Sequence, residues 1–202
     1  MIKRTQGEGN RHGGGMPYMT QEMQTMLAEI ERETDDPTLS KSIYFSPTAI
    51  THIRRLIEMG GTIITDTTLV ESGIDPALLG SRGARITCFI DDPQVISLAT
   101  QRRITRAEVA VDYGLALNGP KLMVVGSAPA AINRMIRRRQ REPMSDVCVL
   151  AACTGFASVV QLKERLIDSD LTSIVVRGKK GGIPATITIL NAILREIAKN
   201  EK

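Results

Sequence analysis

The chain has 202 residues, 42% hydrophobic and 24% charged, a balance expected of one soluble globular domain whose core needs no disulfide or metal staple. A net charge of +4 and a pI near 9.1 suit an anionic partner. With no Trp, three Tyr and three Phe, the chain lacks the stacking surface of a dedicated nucleic-acid binder. Cys88, Cys148 and Cys153 match no paired metal spacing, no run approaches about 18 apolar residues, and the N-terminus lacks the apolar core of a signal peptide. A reduced, cytoplasmic setting away from membranes is the expectation.

In chain order, residues 1–18 are glycine-rich without apolar periodicity and read as a flexible arm, leaving 19–202 as a single domain. Thr20 is placed to cap a helix over about 20–33, with Met23, Met26, Leu27 and Ile30 on one face. Ser46 and Pro47 suggest the cap and first position of a second helix, whose apolar stripe is Ala49, Ile50, Ile53, Leu56 and Ile57 and which ends at Gly60-Gly61. Beyond it, apolar runs at 62–66, 85–91, 121–126, 146–152 and 173–178 alternate with helical periodicity near 93–101, 105–118, 128–141, 155–168 and 182–199. Near-continuous apolar strands between helices predict a parallel sheet covered on both faces. The fold class is therefore α/β: a three-layer α/β/α, flavodoxin-like, doubly wound sheet of about five strands.

Ligands of such folds bind beyond the carboxyl ends of the strands, so the chemistry is sought there. Small-residue turns open into helices at Gly126-Ser127-Ala128-Pro129, at Cys153-Thr154-Gly155-Phe156 and at Gly178-Lys179-Lys180-Gly181-Gly182. Each either makes a tight turn or offers backbone N–H groups to a carboxylate or phosphate, and Lys179 and Lys180 favour the second use. Thr105 and Glu108 form a capping box, which puts Arg106 at the positive end of a helix. Its anionic counterpart is either a ligand or Asp91 or Asp92. The arginines at 134, 137–139 and 141 suit the dipole at a helix end. Cys153 stands at a strand end where a thiol pKa can fall, but His12 and His52 are poorly placed to partner it.

Taken in series, FSPTAI (45–50), IITDTTLVESGI (63–74), ITRAE (104–108), VVGSAPAAI (124–132), TGFASVVQLK (154–163) and RGKKGGIPATITILNAIL (177–194) resemble the precorrin-8X methylmutase (precorrin isomerase) family of corrin biosynthesis. The resemblance implies a flavodoxin-like homodimer with its site near the subunit interface. It implies an isomerase that moves a methyl group between adjacent ring carbons of a carboxylate-rich tetrapyrrole, precorrin-8 or cobalt-precorrin-8. Neither a cofactor nor a protein-bound metal takes part; a protein acid protonates the substrate. Thr34, Thr105, Arg106, Gly126, Ser127, Gly155 and Lys180 fall at substrate-binding positions on this reading.

Counting back from FSP without gaps, the family's catalytic histidine falls on Arg32. The family's N-terminal helix is replaced by the glycine-rich arm, and Asp75-Pro76 stands where an arginine is usual. A guanidinium keeps its proton, so Arg32 would act by charge. Asp35 or Asp36 would then supply the acid from a dry pocket that raises a carboxyl pKa. The alternatives are a tetrapyrrole-binding homologue without turnover and a module for a different anion.

Overall fold

Parallel pairing between strands buried on both faces organises the chain. The computed structural model describes residues 19–199; the expected arm at 1–18, His12 and residues 200–202 lie outside the described residues. The strands are β1 (Ile43–Phe45), β2 (Thr62–Thr65), β3 (Arg85–Cys88), β4 (Lys121–Val125), β5 (Val147–Ala151) and β6 (Thr172–Val176). Their order across the sheet is β1-β6-β5-β4-β2-β3, with β2 to β6 parallel and β1 antiparallel to β6. Without β1, the parallel strands have the flavodoxin-like order, which reverses between β2 and β4.

The helices are α1 (Gln21–Thr34), α2 (Pro37–Ser40), α3 (Ala49–Glu58), α4 (Thr68–Gly73), α5 (Pro93–Arg102), α6 (Arg106–Ala116), α7 (Pro129–Arg139), α8 (Ala157–Ile167) and α9 (Ile183–Lys199), with a 3-10 turn at Pro76–Leu79. Alternation along the strands assigns them to two layers. Leu122, Val124, Cys148 and Leu150 pack with α1, α3, α4 and α9, whereas Met123, Val125, Val149 and Ala151 pack with α6, α7 and α8. Each fully buried aliphatic side chain contributes roughly 1.5–3 kcal/mol, so this alternation fixes the register.

Two expectations near residue 46 are corrected. The sheet has six strands rather than about five, because Ile43–Phe45 pairs with Ile174–Val176 as an antiparallel edge. Ser46 is not a helix cap. Its N–H donates to Ser173 O at 2.8 Å and its Oγ accepts from Ser173 N at 2.9 Å, which extends the β1–β6 ladder. The helix starts only at Ala49, and Pro47 lies exposed in the turn between.

At the opposite end of the sheet from the strand-end loops, buried His52 lies with Nε2 3.3 Å from Lys121 O. Lys121 is itself buried and donates to Asp146 at 2.8 Å. Burial holds His52 below its ordinary 6.5, against the opposing pull of the Lys121 carbonyl and Asp146. The folded-state pKa is thus depressed, so on acidification the unfolded chain takes up the proton first. Stability is full above the unfolded value and declines as pH falls through it. Thermal melts between about pH 7.5 and about pH 5.5 should therefore show a falling midpoint, with a flatter profile in His52→Gln; equal slopes would refute this account.

Candidate functional site

Two short segments form the walls of the site. The first follows α1. Asp35 adopts a left-handed conformation (φ 49°) and ends the helix, and Asp36 caps α2 by accepting from Thr38 N at 3.0 Å and Leu39 N at 3.1 Å. Pro37 occupies the first position of α2, where its missing N–H costs nothing. The second wall is the loop between β6 and α9, in which Gly178, Gly181 and Gly182 all have positive φ. A Cβ on Gly181 would lie 1.8 Å from Ala152 O, and Gly182 N donates to that same oxygen at 2.6 Å.

Lys180 joins the walls. Its Nζ donates to Asp36 Oδ1 at 2.8 Å and Oδ2 at 2.5 Å, and to Thr38 Oγ1. Between the walls lies an open cleft of about 470 Å³, lined by Glu33, Thr34, Asp36, Leu39, Thr154, Lys180, Gly181, Pro184, Ala185 and Thr188. Thr34 donates its hydroxyl to Ile30 O at 2.7 Å, leaving the oxygen free to accept. Glu33 is held by Arg195 Nη2 at 2.5 Å and Glu29 by Arg195 Nε at 2.6 Å, which ties the end of α1 to α9.

The Lys180 ammonium holds the Asp36 carboxyl far below the usual carboxylate range, helped by the Thr38 hydroxyl and the α2 amides and opposed by burial. Asp36 is therefore an ionised strut rather than the neutral acid expected of a dry pocket, because its principal neighbour is a cation. Asp35 is exposed at the helix end. Arg32 is exposed too, on the face of α1 opposite Met26 and Ile30, and is not part of the cleft lining. Among the described residues nothing hydrogen-bonds or pairs with its guanidinium.

The remaining strand ends are differently occupied. Asp66, 6% exposed at the end of β2, accepts from Gly126 N at 3.1 Å, Ser127 N at 2.8 Å and Ala128 N at 2.7 Å. The amides at the start of α7, candidates for a ligand's anion, thus hold the chain's own carboxylate at the point where strand order reverses. Gly126 is needed there, since a Cβ would meet Thr186 Oγ1 at 2.9 Å. Thr105 and Glu108 make the expected capping box, and Arg106 Nη1 pairs with Asp91 Oδ1 at 3.1 Å. A protein carboxylate is therefore the counterion realised, in an exposed pair of the kind worth about 0–1 kcal/mol. Gly155 turns the chain into α8 with Val159 packed against it, and Phe156 beyond it is 87% exposed. Thr105, Arg106, Gly126, Ser127 and Gly155 do not line the cleft.

Cys153 does not become the acidic thiol its strand-end position suggested. It is fully buried, and burial pushes it up to about 11 despite the nearby Lys163 ammonium. Lys163 and Asp66 were not singled out as site residues from the sequence. Lys163 recurs with Val159 and Leu166 on the inward stripe of α8, an unusual place for a lysine. Asp66 directly follows a fully buried strand. Replacing it by Asn leaves one oxygen for three amides and turns an NH2 group toward them. Asp66→Asn should destabilise the fold by about 1–3 kcal/mol, read from the urea midpoint at unchanged m; an unshifted midpoint would exclude this anchoring role.

Comparison with known proteins places this geometry in a lineage. The family model described as CbiC: Precorrin-8X methylmutase matches residues 14–196. A cobalt-precorrin-8 methylmutase of Salmonella typhimurium is 33% identical over 153 residues, covering 75% of this chain and 71% of the relative. Another from Methanothermobacter thermautotrophicus is 29% identical over 169 residues, covering 84% and 78%. The precorrin-8x methyl mutase structure from Thermus thermophilus superposes with a TM-score of 0.79 at 25% identity, covering 90% of this chain and 88% of that one. A precorrin-8X methylmutase related protein shares the fold with a TM-score of 0.80 at 24% identity, covering 89% and 94%. Family match, relatives and fold agree over most of the chain, which belongs to the precorrin-8X methylmutase family.

Proposed function

We propose that the chain binds a precorrin-8-type tetrapyrrole in the cleft between the α1–α2 turn and the β6–α9 loop, and there performs the family's methyl-moving isomerisation in corrin biosynthesis. The supporting observation is the cleft itself. It lies at the carboxyl ends of the strands, and Thr34, Thr154, Thr188 and Lys180 are among the residues that line it. Hydroxyls and an ammonium suit the rim carboxylates of such a substrate, and Leu39, Pro184 and Ala185 suit its apolar ring. At about 470 Å³ the cleft takes one edge of a macrocycle, so the rest needs a second surface, which a homodimer would supply. Arg106 would join substrate binding by exchanging Asp91 for a substrate carboxylate, an exchange that costs little because the pair is exposed. The setting is cytoplasmic and the reaction needs no cofactor; no helix among the described residues is long and apolar enough to cross a membrane.

A second reading, tetrapyrrole binding without turnover, is favoured by the acids of the cleft. Asp36 is committed to Lys180 and Glu33 to Arg195, so neither is a spare proton donor. Absorption spectra of the protein mixed with precorrin-8 or cobalt-precorrin-8 separate the readings. Conversion of many equivalents to a corrin spectrum establishes the isomerase. A stoichiometric shift without turnover establishes the binder, and no response refutes both.

Arg32 is exposed and outside the cleft lining, so substitution there tests whether the acid acts from the end of α1. Arg32 lies one residue before Glu33 and two before Thr34, both in the cleft wall. Arg32→His, which puts an imidazole there, should raise turnover by about a hundredfold, the scale of a positioned general acid. Unchanged turnover would place proton transfer away from this residue.

A further inference from the structure

Lys163 is wholly buried within α8. Its Nζ donates to two backbone carbonyls, Cys153 O at 3.0 Å and Lys180 O at 3.3 Å. Among the described residues no carboxylate lies within ion-pair distance of it. An ammonium withdrawn from water without a counter-charge is costly, and an apolar side chain of equal length would fill the same space without that cost. The two bonds therefore need an account beyond packing.

The carbonyls supply one. Cys153 immediately follows Ala152, whose oxygen accepts from Gly182 N at 2.6 Å. The β6–α9 loop is thus pinned to the end of β5 at two neighbouring points: directly through Gly182, and through the Lys163 ammonium at Lys180. From that pinned backbone the Lys180 side chain reaches Asp36 and Thr38 on the far wall. A shift in the Lys180 backbone would change the reach of its ammonium and the width of the cleft together.

We propose that Lys163 is a positioning residue for the cleft, holding the Lys180 backbone against the end of β5 so that Lys180 meets Asp36 and presents its charge to a ligand carboxylate. The last clause rests on the tetrapyrrole reading above; the loop anchoring does not. Lys163 never touches the ligand. It acts through Lys180, and its effect on binding vanishes when the Lys180 ammonium is absent.

The test is a mutant cycle with two readouts. Lys163→Met keeps length and removes the donor. Hydrogen exchange at the Gly182 amide should rise about tenfold, with the interior of α9 unchanged, and the Kd for cobalt-precorrin-8 should rise about tenfold, the loss of one charge-assisted contact. In the Lys180→Met background, Lys163→Met should weaken binding no further. Uniformly faster exchange, or binding losses that add, would overturn the proposal. If Lys163→Met does not fold, Gly181→Ala displaces the same loop with Lys163 intact, since its Cβ would meet Ala152 O. Its binding loss must likewise disappear in Lys180→Met, and an additive loss overturns the proposal. If the unaltered protein does not bind cobalt-precorrin-8, the tetrapyrrole reading fails, and exchange at Gly182 still decides the anchoring.

Discussion

The site depends on one close backbone approach, that of Gly181 and Gly182 to Ala152 at the end of β5. No side chain fits at Gly181, and the 2.6 Å hydrogen bond from Gly182 N fixes where α9 begins. Both walls of the cleft follow from it. One is the loop itself, which carries Lys180. The other is the end of α1, which α9 holds through the pairing of Arg195 with Glu29 and Glu33. The Lys180–Asp36 bridge closes the frame between two segments 144 residues apart in sequence. Charge-assisted bonds of this kind gain from geometry already set by the backbone, because little side-chain freedom remains to be lost.

Basic and amide groups near the strand ends are largely matched by carboxylates of the chain. Lys180 faces Asp36, Arg106 faces Asp91, Arg177 faces Glu164, and the α7 amides face Asp66. These matches differ in how readily a ligand can replace them. Arg106–Asp91 is an exposed pair, screened by water, and exchanging one carboxylate for another there is nearly neutral. Asp66 is buried with three backbone donors, so removing it would strand all three. The topological switch point, where flavodoxin-like folds hold a ligand, is thus internally filled. The open cleft lies instead toward β5 and β6, with Thr154, Lys180 and Gly181 in its lining.

The parallel core was legible in the sequence because its signals are local. The runs at 62–66, 121–126 and 146–152 are apolar on both faces, and their strands bury every residue. The Thr105–Glu108 capping box lies within one helical turn and formed as expected. β1 was not legible. Three residues pair with a strand some 130 positions away, and Ser46 has the chemistry of a helix cap while serving the sheet. Nothing local separates those two uses of one hydroxyl. The cleft was legible in part: its lysine and small-residue loop could be named, as could the threonine that ends α1 and the aspartate beyond it. The sign of the Asp36 shift could not, because it depends on Lys180 arriving from the far end of the chain.

That shift separates two properties a binding site can have. A carboxyl beside an ammonium stabilises a wall only while it is ionised, and it donates a proton only while it is neutral; one group cannot do both at one pH. Asp36 is committed to the wall. Freeing it by removing Lys180 would raise its pKa and at the same time slacken the geometry that makes the cleft. On the proposed function, affinity therefore resides in the β6–α9 loop and what anchors it. In the proposed isomerase, turnover must draw on an acid outside the Asp36–Lys180 pair, and Arg32, exposed outside the cleft lining and without a partner among the described residues, is the position on α1 where such a group could be added without loosening the frame.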